Sequence, residues 1–122
     1  MWYTTHMNES CGVPRTLKII GSKWTILILH HLCNGTMRFG QLERALHGIS
    51  PKTLSVRLQQ LEKDGIVKKQ IFPEVPLHVE YSLTEKGRSL KKIINLMKEW
   101  GDQEDRAKIS NGKTNYSSVS KG

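Results

Sequence analysis

The side chains best placed to do chemistry in this sequence lie between Ser50 and Lys63. At about 100° per residue, Lys52, Val56, Gln59 and Lys63 fall on one face of a helix, flanked by Ser55 and Gln60. That face carries cations, hydroxyls and amides and no carboxylate. Lys can pair with phosphate or guanine, and Gln can pair with adenine, so the chemistry on offer is hydrogen bonding to a nucleic acid. The plainer alternative is a solvated helix face. Leu54, Leu58 and Leu61 occupy the opposite side at i, i+4 and i+7 and must bury against something.

The ends of this helix are clearly marked. The Ser50 hydroxyl can accept an N–H that the first turn leaves unpaired. Pro51 suits the first helical position, where a missing N–H removes no bond. Gly65 can take the left-handed conformation that ends many helices.

The chain has 122 residues, enough for one core. Its 19 Lys and Arg against 11 acids give a formal charge of +8, which favours an anionic partner, nucleic acid or membrane surface. Its most apolar run, residues 26–29, is far too short to span a membrane, and no signal peptide is visible at the start, so a cytoplasmic protein is expected. Cys11 and Cys33 lack the spacing of a zinc knuckle or a disulfide framework. His30 and His31 are adjacent on a helix and point apart, and His47 and His78 are isolated. No metal, no cofactor and no catalytic constellation is indicated, and an enzyme is not expected.

The elements that must position the polar face follow from periodicity. Residues 1–10 are polar and aperiodic and are expected to be flexible. A short helix begins near Pro14, with Val13, Leu17 and Ile20 on one face. Ser22 caps a second helix, Lys23 to Cys33, whose stripe of Trp24, Leu27, Ile28 and Leu32 marks it as central. Phe39, Leu42 and Leu46 mark a third, short helix. Gly48 breaks it, so a turn of three to four residues leads into the helix at Ser50, the spacing of a helix-turn-helix.

After Gly65 the period becomes two. Val67 and Ile71 share one side of a strand, Pro73 to Pro76 make a tip, and Val79, Tyr81 and Leu83 alternate on the return. Thr84 caps a last helix with a stripe of Leu90, Ile93, Ile94, Met97 and Trp100. The expected fold is mainly α with a small two-stranded β-wing (α+β), a winged helix-turn-helix over residues 11–101. The polar stretch 102–122 is expected to be a disordered tail.

In that fold the helix at Ser50 is the recognition helix. Ser50, Lys52, Thr53, Ser55, Val56 and Gln59 face the major groove, and Lys63, further along, reaches phosphate. Lys68, Lys69 and His78 on the wing are placed for phosphate or the minor groove, and Arg38 at the start of the third helix is placed for phosphate. Arg57 sits at the edge of the leucine face, where pairing with a carboxylate such as Glu62 or Glu80 is expected in preference to a base contact.

The same residues carry a resemblance. The runs 21–29, 49–58 and 61–67, the pair Arg38-Phe39, the stretch 73–76, and the run 79–87 resemble, in order and spacing, the HxlR family of bacterial and archaeal winged-helix transcription regulators, which are related to the MarR group. The match runs from about Cys11 to Trp100. It implies a cytoplasmic homodimer on a pseudo-palindromic operator of double-stranded DNA, acting usually as a repressor and responding to a small molecule or an oxidant. It also places the dimer interface on the first helix (Leu17) and the last (Ile93, Ile94, Met97, Trp100). The last helix argues the same independently, because its stripe is more apolar surface than so small a domain readily covers. The alternative is that the stripe packs on the core.

Cys11 lies close to a helix N-terminus, with Arg15 and Lys18 one turn on, a setting that favours a reactive thiolate. Relatives in the resembling family sense oxidants and electrophiles through a cysteine at this position. Cys11 is therefore either a redox sensor or a packing residue, and Cys33 reads as a small core residue. Two other functions compete with a sequence-specific regulator. One is a protein-interaction module, against which stands a recognition face without aliphatic or aromatic anchors beyond Val56. The other is a non-specific architectural DNA binder.

Overall fold

Cys11, in extended conformation (φ −73°, ψ 139°), starts helix α1, Gly12–Ile20. The computed structural model describes residues 11–110, and side chains up to residue 106. Helix α1 begins two residues before Pro14, which therefore occupies the third helical position. A proline is accepted there because the first four N–H groups of a helix have no partner within it. The Thr16 hydroxyl donates to the Gly12 carbonyl at 2.9 Å.

Helix α2, Lys23–Leu32, is the centre of the core, with Thr25, Ile28, Leu29 and Leu32 buried. Its buried stripe is rotated from the expected one. Leu29 is fully buried, whereas Trp24 and Leu27 are half-buried. Gly35 (φ 136°) turns the chain into a two-residue strand, β1, Met37–Arg38, and then helix α3, Phe39–Ala45. Leu42 and Leu46 are buried. Residues 46–50 link α3 to helix α4, Pro51–Lys63, and Gly48 (φ 92°) makes the bend.

Both ends of α4 are as expected. The Thr53 N–H donates to Ser50 Oγ at 3.1 Å. At the other end Gly65 has φ 73°, the Gly65 N–H donates to the Glu62 carbonyl at 3.1 Å, and the Ile66 N–H to the Leu61 carbonyl at 2.9 Å. This paired closure is a Schellman motif, and Leu61 and Ile66 are both buried beside it.

Strands β2, Val67–Phe72, and β3, His78–Leu83, form the antiparallel wing, with Val67 opposite Leu83 and Lys69 opposite Tyr81. The sheet has three strands in the order β1-β3-β2, not the expected two, because Met37 pairs with Tyr81 and Arg38 with Glu80. A two-residue strand carries no alternation, so only pairing reveals it. Val67 is buried, whereas Ile71 is 55% exposed and Val75 and Leu77 at the tip are exposed, so the hairpin runs out beyond the core.

The helix after Thr84 is broken. Thr84 caps a one-turn helix, α5, Glu85–Arg88, through the Gly87 N–H at 3.0 Å. The Thr84 N–H donates to the Ile66 carbonyl at 3.0 Å and its hydroxyl to the Gly65 carbonyl, pinning the wing's return to the end of α4. Helix α6, Lys91–Ser110, is a separate compact unit that begins at Lys91. It runs on through Asp102, where Lys98 Nζ lies 2.8 Å from the carboxylate, so the boundary expected at residue 102 falls inside a helix. The expectations for residues 1–10 and 111–122 lie outside the described residues.

Candidate nucleic-acid interface

The physical basis of the site is the two-sidedness of α4. Leu54, Leu58 and Leu61 are at most 2% exposed and anchor one side in the core. Lys52, Ser55, Val56, Gln59 and Lys63 are exposed on the other, with Val56 at 51%. Burial of three leucines contributes roughly 1.5–3 kcal/mol each and holds the helix so that its polar face has no inward alternative. Thr53 is half-buried and Ser50 is exposed at the helix start. The Ser50 hydroxyl donates to Thr53 Oγ1 at 2.9 Å, so the Thr53 proton is left to seek another acceptor. Gln60 turns its amide to Asp64 at 3.3 Å, away from the Lys52–Gln59 row.

Three of the flanking cations are exposed. Arg38 is exposed directly before α3, where its N–H is held by Gln41 Oε1 at 2.8 Å. Lys68 and Lys69 are exposed on β2. Tyr81, opposite Lys69, has its phenol pushed above its ordinary range, first by burial and then by the Glu62 charge, so it stays a neutral donor.

His78 does not match the expectation of a ring open to phosphate. It stacks on Phe72 with ring centroids 4.6 Å apart, and its nitrogens lie 3.2 Å from Glu80 and 3.4 Å from Glu74. Two carboxylates beside it repel a phosphate, so His78 shapes the wing.

Arg57 also departs from expectation. It pairs with neither Glu62 nor Glu80, the latter being taken by His78. Its Nε is buried and has no hydrogen-bond partner among the described residues. An unpaired buried donor costs on the order of 1–3 kcal/mol. The side chain lines a cavity of about 220 Å³ between α1, α2 and α4. Sequence reasoning missed this cavity, because only packing of three helices brings its walls together.

Cys11 is exposed at the start of α1, Arg15 and Lys18 are exposed on that helix, and Cys33 is half-buried at the end of α2. Of the residues expected at a dimer interface, Leu17 is 38% exposed, Ile93 39%, Met97 46% and Trp100 67%. Val13 and Leu96, at 62% and 55%, extend those apolar faces. Ile94 is the exception, being buried in the single chain at 4%. Among the described residues, no cluster of His, Cys, Asp or Glu could hold a metal, and no helix is long and apolar enough to cross a membrane.

Comparison with known proteins agrees with this geometry. The HxlR-like helix-turn-helix family matches residues 19–108. The HTH-type transcriptional regulator YdeP of Bacillus subtilis (strain 168), itself uncharacterised, is 41% identical over 101 residues, spanning 83% of this chain and 79% of that protein. A regulator assigned to the MarR family from Porphyromonas gingivalis W83 superposes with a TM-score of 0.75 at 40% identity, over 77% of this chain and 92% of the other. The reduced form of the redox regulator HypR superposes with a TM-score of 0.75 at 40% identity, over 82% and 99%. A winged helix with a cationic, carboxylate-poor recognition face and these relatives has one assignment: the chain belongs to the HxlR-like helix-turn-helix family and is a DNA-binding transcriptional regulator, not an enzyme.

Proposed function

We propose that the chain is a homodimeric, sequence-specific repressor in the cytoplasm, whose affinity for a pseudo-palindromic operator is set by the redox or alkylation state of Cys11. The observation that carries the DNA-reading half is the exposed row Lys52, Ser55, Val56 and Gln59 on a helix fixed by three buried leucines. Lys63, Lys68, Lys69 and Arg38 add phosphate contacts around it.

A two-fold operator calls for a two-fold protein. The exposed apolar faces of α1 (Val13, Leu17) and of α6 (Ile93, Met97, Trp100) support this reading. The thiol half is supported by the exposure of Cys11 at the start of α1 and by the likeness to a redox regulator. With α1 at the dimer seam, oxidation or alkylation there alters the spacing of the two recognition helices.

Fluorescence anisotropy with the DNA upstream of the protein's own gene, against a scrambled duplex and with and without a thiol oxidant, tests the reading. Preference for the upstream duplex, lost on oxidation in the native chain and kept in Cys11→Ser, is the expected result. A Cys11→Ser protein that still responds to oxidant would remove the thiol switch. A clean monomer mass by light scattering at micromolar concentration would remove the dimer.

A further inference from the structure

The cavity between α1, α2 and α4 has walls of two kinds. Leu17 and Ile19 on α1 and Leu61 on α4 line its apolar part. Arg57, Ser22 and Thr25, with Lys18 and Gln60, line its polar part, and among the described residues no carboxylate lies along it. Among the described residues Thr25, only 4% exposed, is the one buried polar residue in the core, and its hydroxyl makes no hydrogen bond. Arg57 Nε is buried and unpaired close by. Ser22 precedes α2 without capping it through its side chain. A guanidinium stays charged and presents a planar fork that a carboxylate fits with two parallel bonds. Hydroxyls on the facing wall can donate to the same anion.

We propose that this cavity binds a small organic monocarboxylate with an apolar body, and that its occupancy changes the affinity for DNA. Its volume of about 220 Å³ exceeds that of the roughly 150 Å³ apolar cavity that holds benzene, so the body has roughly four to seven carbons. The carboxylate sits on Arg57 and the Thr25 hydroxyl, and the body lies against Leu17, Ile19 and Leu61. Coupling to DNA follows from the position of Arg57 on α4, one residue along from Val56 and two before Gln59, which lie on the reading face. A ligand bridging Arg57 to Thr25 ties the recognition helix to α2. The regulatory half of this proposal rests on the reading of the chain as a DNA-binding regulator, whereas the binding half does not.

The test is calorimetry and thermal shift on the full chain with hexanoate and cyclohexanecarboxylate, with hexanamide as the neutral control. The acids are expected to bind at least about tenfold more tightly than the amide. Arg57→Met should reduce that binding by a similar factor. Thr25→Val, which keeps the side-chain shape, should weaken it several-fold and serves should Arg57→Met fail to fold. In anisotropy with the preferred duplex, either acid should shift DNA affinity by about fivefold or more. Four results overturn the proposal. They are no binding of either acid at tens of millimolar, as when a partner chain fills the cavity; equal binding of hexanamide; undiminished binding in both variants; or unchanged DNA affinity. Arg57-dependent acid binding in a chain that prefers no DNA would overturn the regulator reading and the coupling, and leave the carboxylate site standing.

Discussion

Ser50 and Thr53 hold each other in a two-way exchange. Ser50 Oγ accepts the Thr53 N–H at 3.1 Å and donates its own proton to Thr53 Oγ1 at 2.9 Å. The first bond caps α4, and the second orients a hydroxyl on the reading face. Ser50→Ala is expected to lower stability by about 1 kcal/mol, and Ser50→Gly by only a few tenths. Urea midpoints at constant slope measure this. Equal losses for the two variants would show that the cap bond is not the source.

Gln59 and Lys68 should separate base reading from phosphate contact. Gln59→Ala is expected to cost about 1–3 kcal/mol on the preferred site and to relax preference at one base pair. Lys68→Ala should weaken binding to all duplexes alike and reduce the salt slope by roughly 0.9. The measurement is affinity for single-base variants of the site across a salt series. A uniform loss for Gln59→Ala would make it a phosphate contact.

Gly87 allows α5 to close onto the strand start. It is buried, and a Cβ there would collide with the Ile66 carbonyl while approaching Leu83 at 3.2 Å. Gly87→Ala is therefore expected to destabilise by about 1–3 kcal/mol, because backbone and not a flexible side chain must move. The same substitution at Gly40, where only the far end of the Arg44 side chain lies within reach at 3.5 Å, should be much milder. Thermal unfolding of the two variants gives the comparison.

His31 sets a direction for stability against pH. Burial first, and the neighbouring His30 second, hold its imidazole below the ordinary 6.5. The unfolded chain thus takes up the proton before the folded one does. The contribution of His31 is full above 6.5 and is lost as pH falls through the lowered folded value. His31→Gln should flatten stability between neutral and mildly acidic pH, read from denaturation midpoints. An unchanged slope would contradict the assignment.

The helices were legible from the sequence wherever local signals and period agreed. Ser50, Pro51 and Gly65 bound α4, and its leucines at i, i+4 and i+7 are buried as their spacing requires. The wing was legible from its switch to a period of two. Other features were not. β1 is too short to carry a pattern, and Thr84 signals a helix start without showing that the helix breaks at Ser89-Leu90. His78 is basic by composition, yet the hairpin register brings Phe72 opposite it, and Glu74 and Glu80 lie beside its nitrogens.

The sequence by itself determined the order of elements, the side of α4 that is buried and the polar row that faces outward, because those follow from spacing along one chain. Only the tertiary structure decided where Arg57 goes. A side chain at the edge of a buried stripe has neighbours contributed by other helices. Its surroundings, a cavity with an unpaired donor in place of a carboxylate, come into being only when α1, α2 and α4 pack.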